Sequence, residues 1–290
     1  MCCLTGVASW LTAATGRSAL RATRAMDIPV LVAVTAGHHS GYDRVVLRFS
    51  GALPSRLQAR YVGRLIGDPS GRGVAIAGRA ILQVGVSPAS AHTVTGAGSA
   101  PARVAFALPN VITAVRSGDF ESVVSYGIGL ARRAPFHIHT LTSPSRIVID
   151  IGVPLRTRLM RVYFLNRRHF ETGREPHLTP VMRPIPVMTP ATGLLDRLFA
   201  GPTPQEKARS LALVASRATG FANLSVRAGI ARVRLTGGCS SGGSTVSIAD
   251  EIGQTLRQLP TVRYVKIYDP SGHTADPVGP VDSIPACLEP

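Results

Sequence analysis

The sequence of 290 residues is short of lysine, tryptophan, acidic side chains and long apolar runs. Lysine occurs only at Lys207 and Lys266, so thirty of the 32 basic residues are arginine; 16 acidic residues oppose them, leaving a net charge of +16. No stretch reaches about 18 consecutive apolar residues, so none is a candidate for a helical membrane span. Charged residues make up 17% and hydrophobic ones 45%, a balance that excludes an intrinsically disordered chain. Cysteine is scarce as well, with two in the leader (Cys2, Cys3) and two in the last quarter (Cys239, Cys287). Without a C-x-x-C pair or nearby paired histidines, the last two do not read as a zinc site. They read as one disulfide, which implies an oxidising compartment.

The arginines are scattered over the whole length, for example Arg17, Arg60, Arg116, Arg168, Arg232 and Arg263. They form no stripe with interleaved aromatics, which argues against a nucleic-acid partner. Dispersed charge suits a weaker, salt-sensitive attraction to an anionic envelope polymer or a membrane surface. Residues 1–35 are read as a leader, a degenerate or truncated signal peptide. MCCLTGVASWLTAATG is apolar and small-residue rich but has no basic start, while Ala22-Thr23-Arg24-Ala25 offers an A-x-A-like cleavage site. Lipidation of Cys2 or Cys3 would require a start further upstream.

From Arg44 to Asp150, seven short alternating runs (44–49, 57–62, 80–86, 111–115, 123–128, 136–141 and 146–150) are separated by Gly, Pro and Ser. Seven predicted strands without a capped helical period indicate an all-β sandwich over 36–152. Beyond a linker near Pro154 the character changes. Strands are predicted at 161–165 and, as a proline-bounded edge, at 177–187; a helix is predicted at 191–199. Thr203, Pro204 and Glu206 spell a capping box, with Ala208, Leu211, Ala212 and Ala215 at helical spacing after it. A hairpin turning at Gly229, a helix over 245–259 and a strand over 262–268 complete an α+β domain assigned to 160–290.

Both halves are similar to known families. GHHSGYDRVVLRFSGALP, DPSGRGVAIAGRAILQVGVSPASAH, SGDFESVVSYGIGL and PSRIVIDI, in that order, resemble the AMIN-like domain of exported bacterial proteins over 36–152. RVYFLNR, LLDRLFAGPTPQEKA and TLRQLPTVRYVKIYD resemble the GerMN (sporulation and spore germination) domain over about 160–270. The strand ARVRLTGG departs from that family's common form, which has an acidic residue after the valine. The resemblance implies a multidomain, non-enzymatic envelope protein without a cofactor. Its expected partner is peptidoglycan, another anionic wall polymer, or an envelope protein, in a process of sporulation, germination or wall assembly.

Residues 238–242, Gly-Cys-Ser-Ser-Gly, match the G-x-S-x-G nucleophile elbow. A serine hydrolase built on Ser240 would need Asp269 and His273 as its acid and base, and the hairpin feeding the turn argues against the parallel sheet such enzymes use. A phosphate-binding loop is disfavoured because the G-K-[ST] ending is missing. The preferred reading is a structural turn, with Ser244 as N-cap of the next helix and Cys239 tied to Cys287. His38 and His39 with Asp43 could hold a metal, as could His137 and His139 side by side on one strand face, but spacing shows no further ligand, so no metal site is assigned. For a glycan-binding surface the candidates are Tyr42, Asp43, Arg44, Asp119, Phe120 and Glu121, because sugar binding uses an aromatic face flanked by planar hydrogen-bonding groups. Arg146 and Asp150 are assigned to the fold. Two alternatives stand beside the wall-binding reading: the serine hydrolase, and a basic anion or nucleic-acid binder.

Overall fold

The computed structural model describes residues 28–290. Cys2, Cys3, the expected cleavage site and most of the expected leader lie outside them. The described chain is mostly β, with two domains in sequence.

Nine strands come first: β1 (Val30–His39), β2 (Tyr42–Ser50), β3 (Arg56–Val62), β4 (Ala80–Ser87), β5 (Arg103–Ala105), β6 (Val111–Phe120), β7 (Val123–Leu130), β8 (Phe136–Thr142) and β9 (Ser145–Gly152). They form a four-stranded sheet, β1-β2-β9-β8, and a five-stranded sheet, β3-β4-β7-β6-β5. Period-2 alternation explains the buried set. On β2, Asp43, Val45, Leu47 and Phe49 are buried while Tyr42, Arg44, Val46 and Arg48 are not. Val45, Leu47 and Phe49 from one sheet and Leu82, Val84 and Val86 from the other belong to a single apolar core.

All seven predicted strands are present. Two were missed. Strand β1 begins at Val30, inside the stretch read as leader, because VLVAVTAGHH is apolar with no clean alternation. It pairs with β2 through a two-residue turn, His39 opposite Tyr42. Strand β5 is three residues long, too short to carry a period.

The second domain contains β10 (Thr157–Asn166), α1 (Arg167–Glu171), β11 (Leu178–Pro186), α2 (Pro190–Ala200), α3 (Pro204–Lys207), β12 (Leu211–Ala212), β13 (Ala218–Arg227), β14 (Ile230–Gly237), α4 (Ile248–Arg257) and β15 (Tyr264–Tyr268). Its sheets are β11-β10-β12 and β13-β14-β15. β14 and β15 run parallel, joined through α4, and every other pair is antiparallel. Phe164, Ile185, Leu194, Leu198, Val233 and Ile252 are buried together in one core, with Leu288 of the tail added to it.

Two helix expectations are corrected. The capping box at Thr203 forms, Thr203 Oγ1 accepting from the Glu206 N–H and Glu206 accepting from the Thr203 N–H, but α3 ends after one turn. Ser210 turns to φ +65, and Leu211–Ala212 pairs with β10, which buries Leu211. The N-cap of α4 is Ser247, in a capping box with Asp250, and not Ser244. Ser244 instead bonds Val246 on both its N–H and carbonyl sides.

The domains meet along α2, which packs against β6 and places Ala200 beside Ala105 and Ile112. Arg79, just before β4, forms a forked pair with Asp196 of α2 at 2.6 and 2.9 Å. The approach of this segment relies on Gly129 of β7, where a Cβ would collide with the Ala77 carbonyl. Arg197 is buried, and its Nη2 donates to the carbonyls of Leu108 and Pro109 in the first domain and Pro184 in the second.

Candidate functional site

Five of the six glycan-surface candidates fall into two separated groups. Asp43 belongs to neither. It is fully buried, with one carboxylate oxygen accepting from the backbone N–H groups of Asn110 and Val111 at 2.7 and 2.8 Å and the other bonded to His38 Nδ1 at 2.7 Å. Asp43 is therefore a brace between the two sheets and not a surface ligand group; the alternation that turns Tyr42 and Arg44 outward turns Asp43 inward.

Tyr42 and Arg44 lie on the outer face of the four-stranded sheet. The Tyr42 and His39 rings stack at 4.9 Å with 13° between their planes. Arg44 places its guanidinium 5.4 Å from the Tyr42 centroid and grips Asp150 on β9 through two bonds of 2.6 and 2.8 Å. That fork raises the Arg44 pKa and holds the Asp150 carboxyl below the usual range, with smaller contributions from His139 and His39. In register, Asp150 faces His137 and Val148 faces His139, so β8 adds two imidazoles, 6.0 Å apart, to the same face. The result is a patch of flat aromatic and planar polar groups: Tyr42, His39, Arg44, Asp150, His137 and His139. Sequence reasoning set Asp150 aside as structural and considered the histidines only as metal ligands. The register that unites them needs the pairing of β2, β9 and β8.

Asp119, Phe120 and Glu121 lie elsewhere. Strand β6 starts next to Asp43, and Asp119 is eight residues further along it, roughly 25 Å away at ~3.3 Å per residue. Asp119 accepts from the Ala91 N–H at 3.0 Å and bonds His92 Nδ1 at 2.8 Å, with Arg116 at 3.6 Å. Glu121 and Ser122 both have positive φ, 48° and 59°, forming the two-residue turn into β7. Phe120 is half-exposed at that turn. These three residues organise a hairpin tip and do not adjoin Tyr42.

The glycine-serine turn is held at both ends. Cys239 is disulfide-bonded to Cys287 with Cα atoms 5.7 Å apart, the Ser241 N–H donates to the Cys287 carbonyl, and Ser241 Oγ donates to the Glu289 carbonyl. Gly237, Gly242 and Gly243 adopt positive φ within it. Ser240 Oγ accepts from the Gly242 N–H. Asp269 accepts from the His273 N–H, and among the described residues no hydrogen bond joins Ser240 to either of them. Among the described residues no group of three or more His, Cys, Asp or Glu side chains is placed to hold a metal ion.

Comparison with known families matches residues 29–153 to the AMIN-like domain and residues 161–268 to the sporulation and spore germination domain. The two matches are consecutive and leave between them residues 154–160, part of the β9–β10 connection and the start of β10. No curated protein and no solved structure matches the chain. The family pair points to an envelope or sporulation-related protein. Among the described residues, no helix is long and apolar enough to cross a membrane.

Proposed function

The chain is an AMIN-like domain followed by a sporulation and spore germination domain, and on that premise we propose a non-catalytic envelope protein that binds cell-wall polymer and holds it in place. The N-terminal unit is read as a β-sandwich, since its two sheets share one core, and the C-terminal unit as an α+β domain. Export is supported by the Cys239–Cys287 disulfide, which persists in oxidising compartments.

The observation that carries the reading is the stacked Tyr42–His39 pair beside the Arg44–Asp150 fork. A sugar ring can lie on the flat aromatic surface while its hydroxyls meet the guanidinium and imidazole groups at the edge. The net charge of +16 adds long-range attraction to an anionic wall polymer. Tyr42, His39 and Arg44 would contact the glycan, with Asp150 fixing the orientation of Arg44.

The test is sedimentation with isolated peptidoglycan sacculi across a salt series, with duplex DNA as competitor. Retention at high salt that DNA leaves unchanged and Tyr42→Ala abolishes supports the reading. Release at modest salt, or capture by DNA, would assign the binding to charge alone and overturn it. A hydrolytic role for Ser240 would instead show as turnover of sacculi that Ser240→Ala removes.

A further inference from the structure

Three sheets end in the wall of one cleft. β5, β12 and β13 are each the outermost strand of their sheet, with a hydrogen-bonded neighbour on one side only. All three contribute to a cleft of about 760 Å³ at the domain junction: Arg103 from β5, Leu211 and Ala212 from β12, Ala218 and Thr219 from β13. Edge strands present backbone N–H and carbonyl groups that an added extended chain can satisfy. Phe199, Leu211 and Leu213 supply apolar lining.

The rim is cationic. Arg103, Arg167 and Lys207 all line the cleft, with Glu171 as the one acid among its lining residues. Among the described residues, none of the three cations lies within ion-pair distance of a carboxylate. Arg103 donates to the Ala75 carbonyl at 2.5 Å. It stays accessible to solvent, yet the surrounding protein partly desolvates its guanidinium and pulls the pKa below the ordinary value. Three accessible arginines elsewhere do pair with acids, Arg44 with Asp150, Arg79 with Asp196 and Arg257 with Asp282; what sets the cleft apart is that its unpaired cations gather around one concave site. Three cations without acids around one concave site complement an anionic occupant.

We propose that this interdomain cleft binds an extended, acidic peptide segment of a partner protein by strand addition, with the acidic side chains on Arg103, Arg167 and Lys207. A phosphate-rich polymer would use the cations but leave the strand edges and the apolar lining unused. The inference goes beyond the wall-binding reading, because the cleft shares no residue with the Tyr42 face and takes a different class of ligand.

The experiment uses the full chain and a fluorescein-labelled ten-residue peptide alternating Glu and Val, compared with its Lys–Val counterpart and with inorganic polyphosphate. The Glu–Val peptide is expected to bind, the Lys–Val peptide not, and Arg167→Glu/Lys207→Glu is expected to weaken binding about tenfold or more. Both side chains are exposed, so the thermal unfolding of the variant should match that of the parent. Hydrogen exchange should show slowed amides in 211–213 and at Thr219 when the peptide is bound; the Ala218 N–H already donates to the Ala215 carbonyl. Absence of binding, binding unchanged in the double variant, or preference for polyphosphate over the peptide would each overturn the proposal. Tyr42→Ala should leave peptide binding intact, and the double charge reversal should leave high-salt sacculus retention intact, so failure of one reading is distinguishable from failure of the other.

Discussion

Arg79 of the first domain grips both carboxylate oxygens of Asp196 in the second, although 117 positions of chain separate them. Asp196 is buried, and burial raises its pKa despite the opposing pull of Arg79, so the pair is held by geometry against a desolvation cost. Arg79 also lies 4.7 Å from the Phe221 ring, which stacks on Phe199 of α2. The domain junction is thus a built contact, continuous with the wall of the proposed peptide cleft.

Removing Arg79 should cost more than removing Asp196. Arg79→Met leaves a buried carboxylate without its partner, and a loss of about 2 kcal/mol is expected, discounted because Arg79 is partly in solvent. Asp196→Asn, which keeps the shape without the charge, should lose less. Urea denaturation of the two variants side by side measures the difference; equal losses would mean that the ion pair does not govern the junction.

Arg197 should control how the domains unfold. Its Nη2 reaches three carbonyls while Nε and Nη1 find no partner, and burial pulls its pKa down to about 10. Arg197→Met keeps most of the packing but strips the Leu108 and Pro109 carbonyls of their shared donor. Scanning calorimetry should give one transition for the parent and two for the variant. A single, unshifted transition would show that Arg79 and Asp196 suffice to couple the halves.

Glu251 gives a prediction for pH. It is fully buried on α4 and accepts from the Leu165 and Val214 N–H groups, yet burial outweighs those bonds and pushes its pKa from 4.5 up to about 8. The folded state therefore holds a proton that the unfolded chain has lost. The stabilisation is complete below about pH 4.5 and lost as pH rises through about 8, on the order of 5 kcal/mol across that window. Glu251→Gln should flatten the dependence between pH 5 and 8. Denaturation midpoints that fall equally steeply in both proteins would assign the effect to other groups.

The disulfide should hold the tail. The tail runs back along β15, where the Ile267 N–H donates to the Ser283 carbonyl and the buried Lys266 ammonium reaches the Asp276 and Val278 carbonyls. With a sequence separation of 48 between the cysteines, Cys239→Ser/Cys287→Ser should cost about 4 kcal/mol on the loop-entropy model. Cleavage by protease within 270–290 should accelerate first. Thiol titration of the unfolded, unreduced chain lacking residues 1–26 should find no free thiol, and two would exclude the bond.

Local signals were legible where a single segment carries its own physics. Alternation along Arg44–Phe49 predicts a half-buried strand because successive side chains leave opposite faces, and β2 is that strand. The Thr203–Glu206 capping box formed as read, since both partners lie within one turn. The length of the helix after it was not legible: Leu211 gains more by burial beside β10 than by continuing a helical face, and that competitor lies over forty residues away in sequence.

The candidate surface was half legible for the same reason. Tyr42 and Arg44 could be chosen from residue chemistry, whereas Asp150, His137 and His139 join them only through the registers of β2 with β9 and β9 with β8. Asp43 was misplaced because its burial depends on the backbone of Asn110 and Val111, which no local pattern reveals.

By itself the sequence determined the strand-rich architecture, the order of the two domains and the pairing of Cys239 with Cys287, because these rest on short-range periodicity and on a small number of reactive groups. Tertiary structure alone decided that β1 begins at Val30, that Asp43 and Arg197 are spent on internal bonds, and that three strand edges meet in one cationic cleft. Those outcomes depend on which distant segment wins each competition for burial and hydrogen bonding, and only the packed chain settles that.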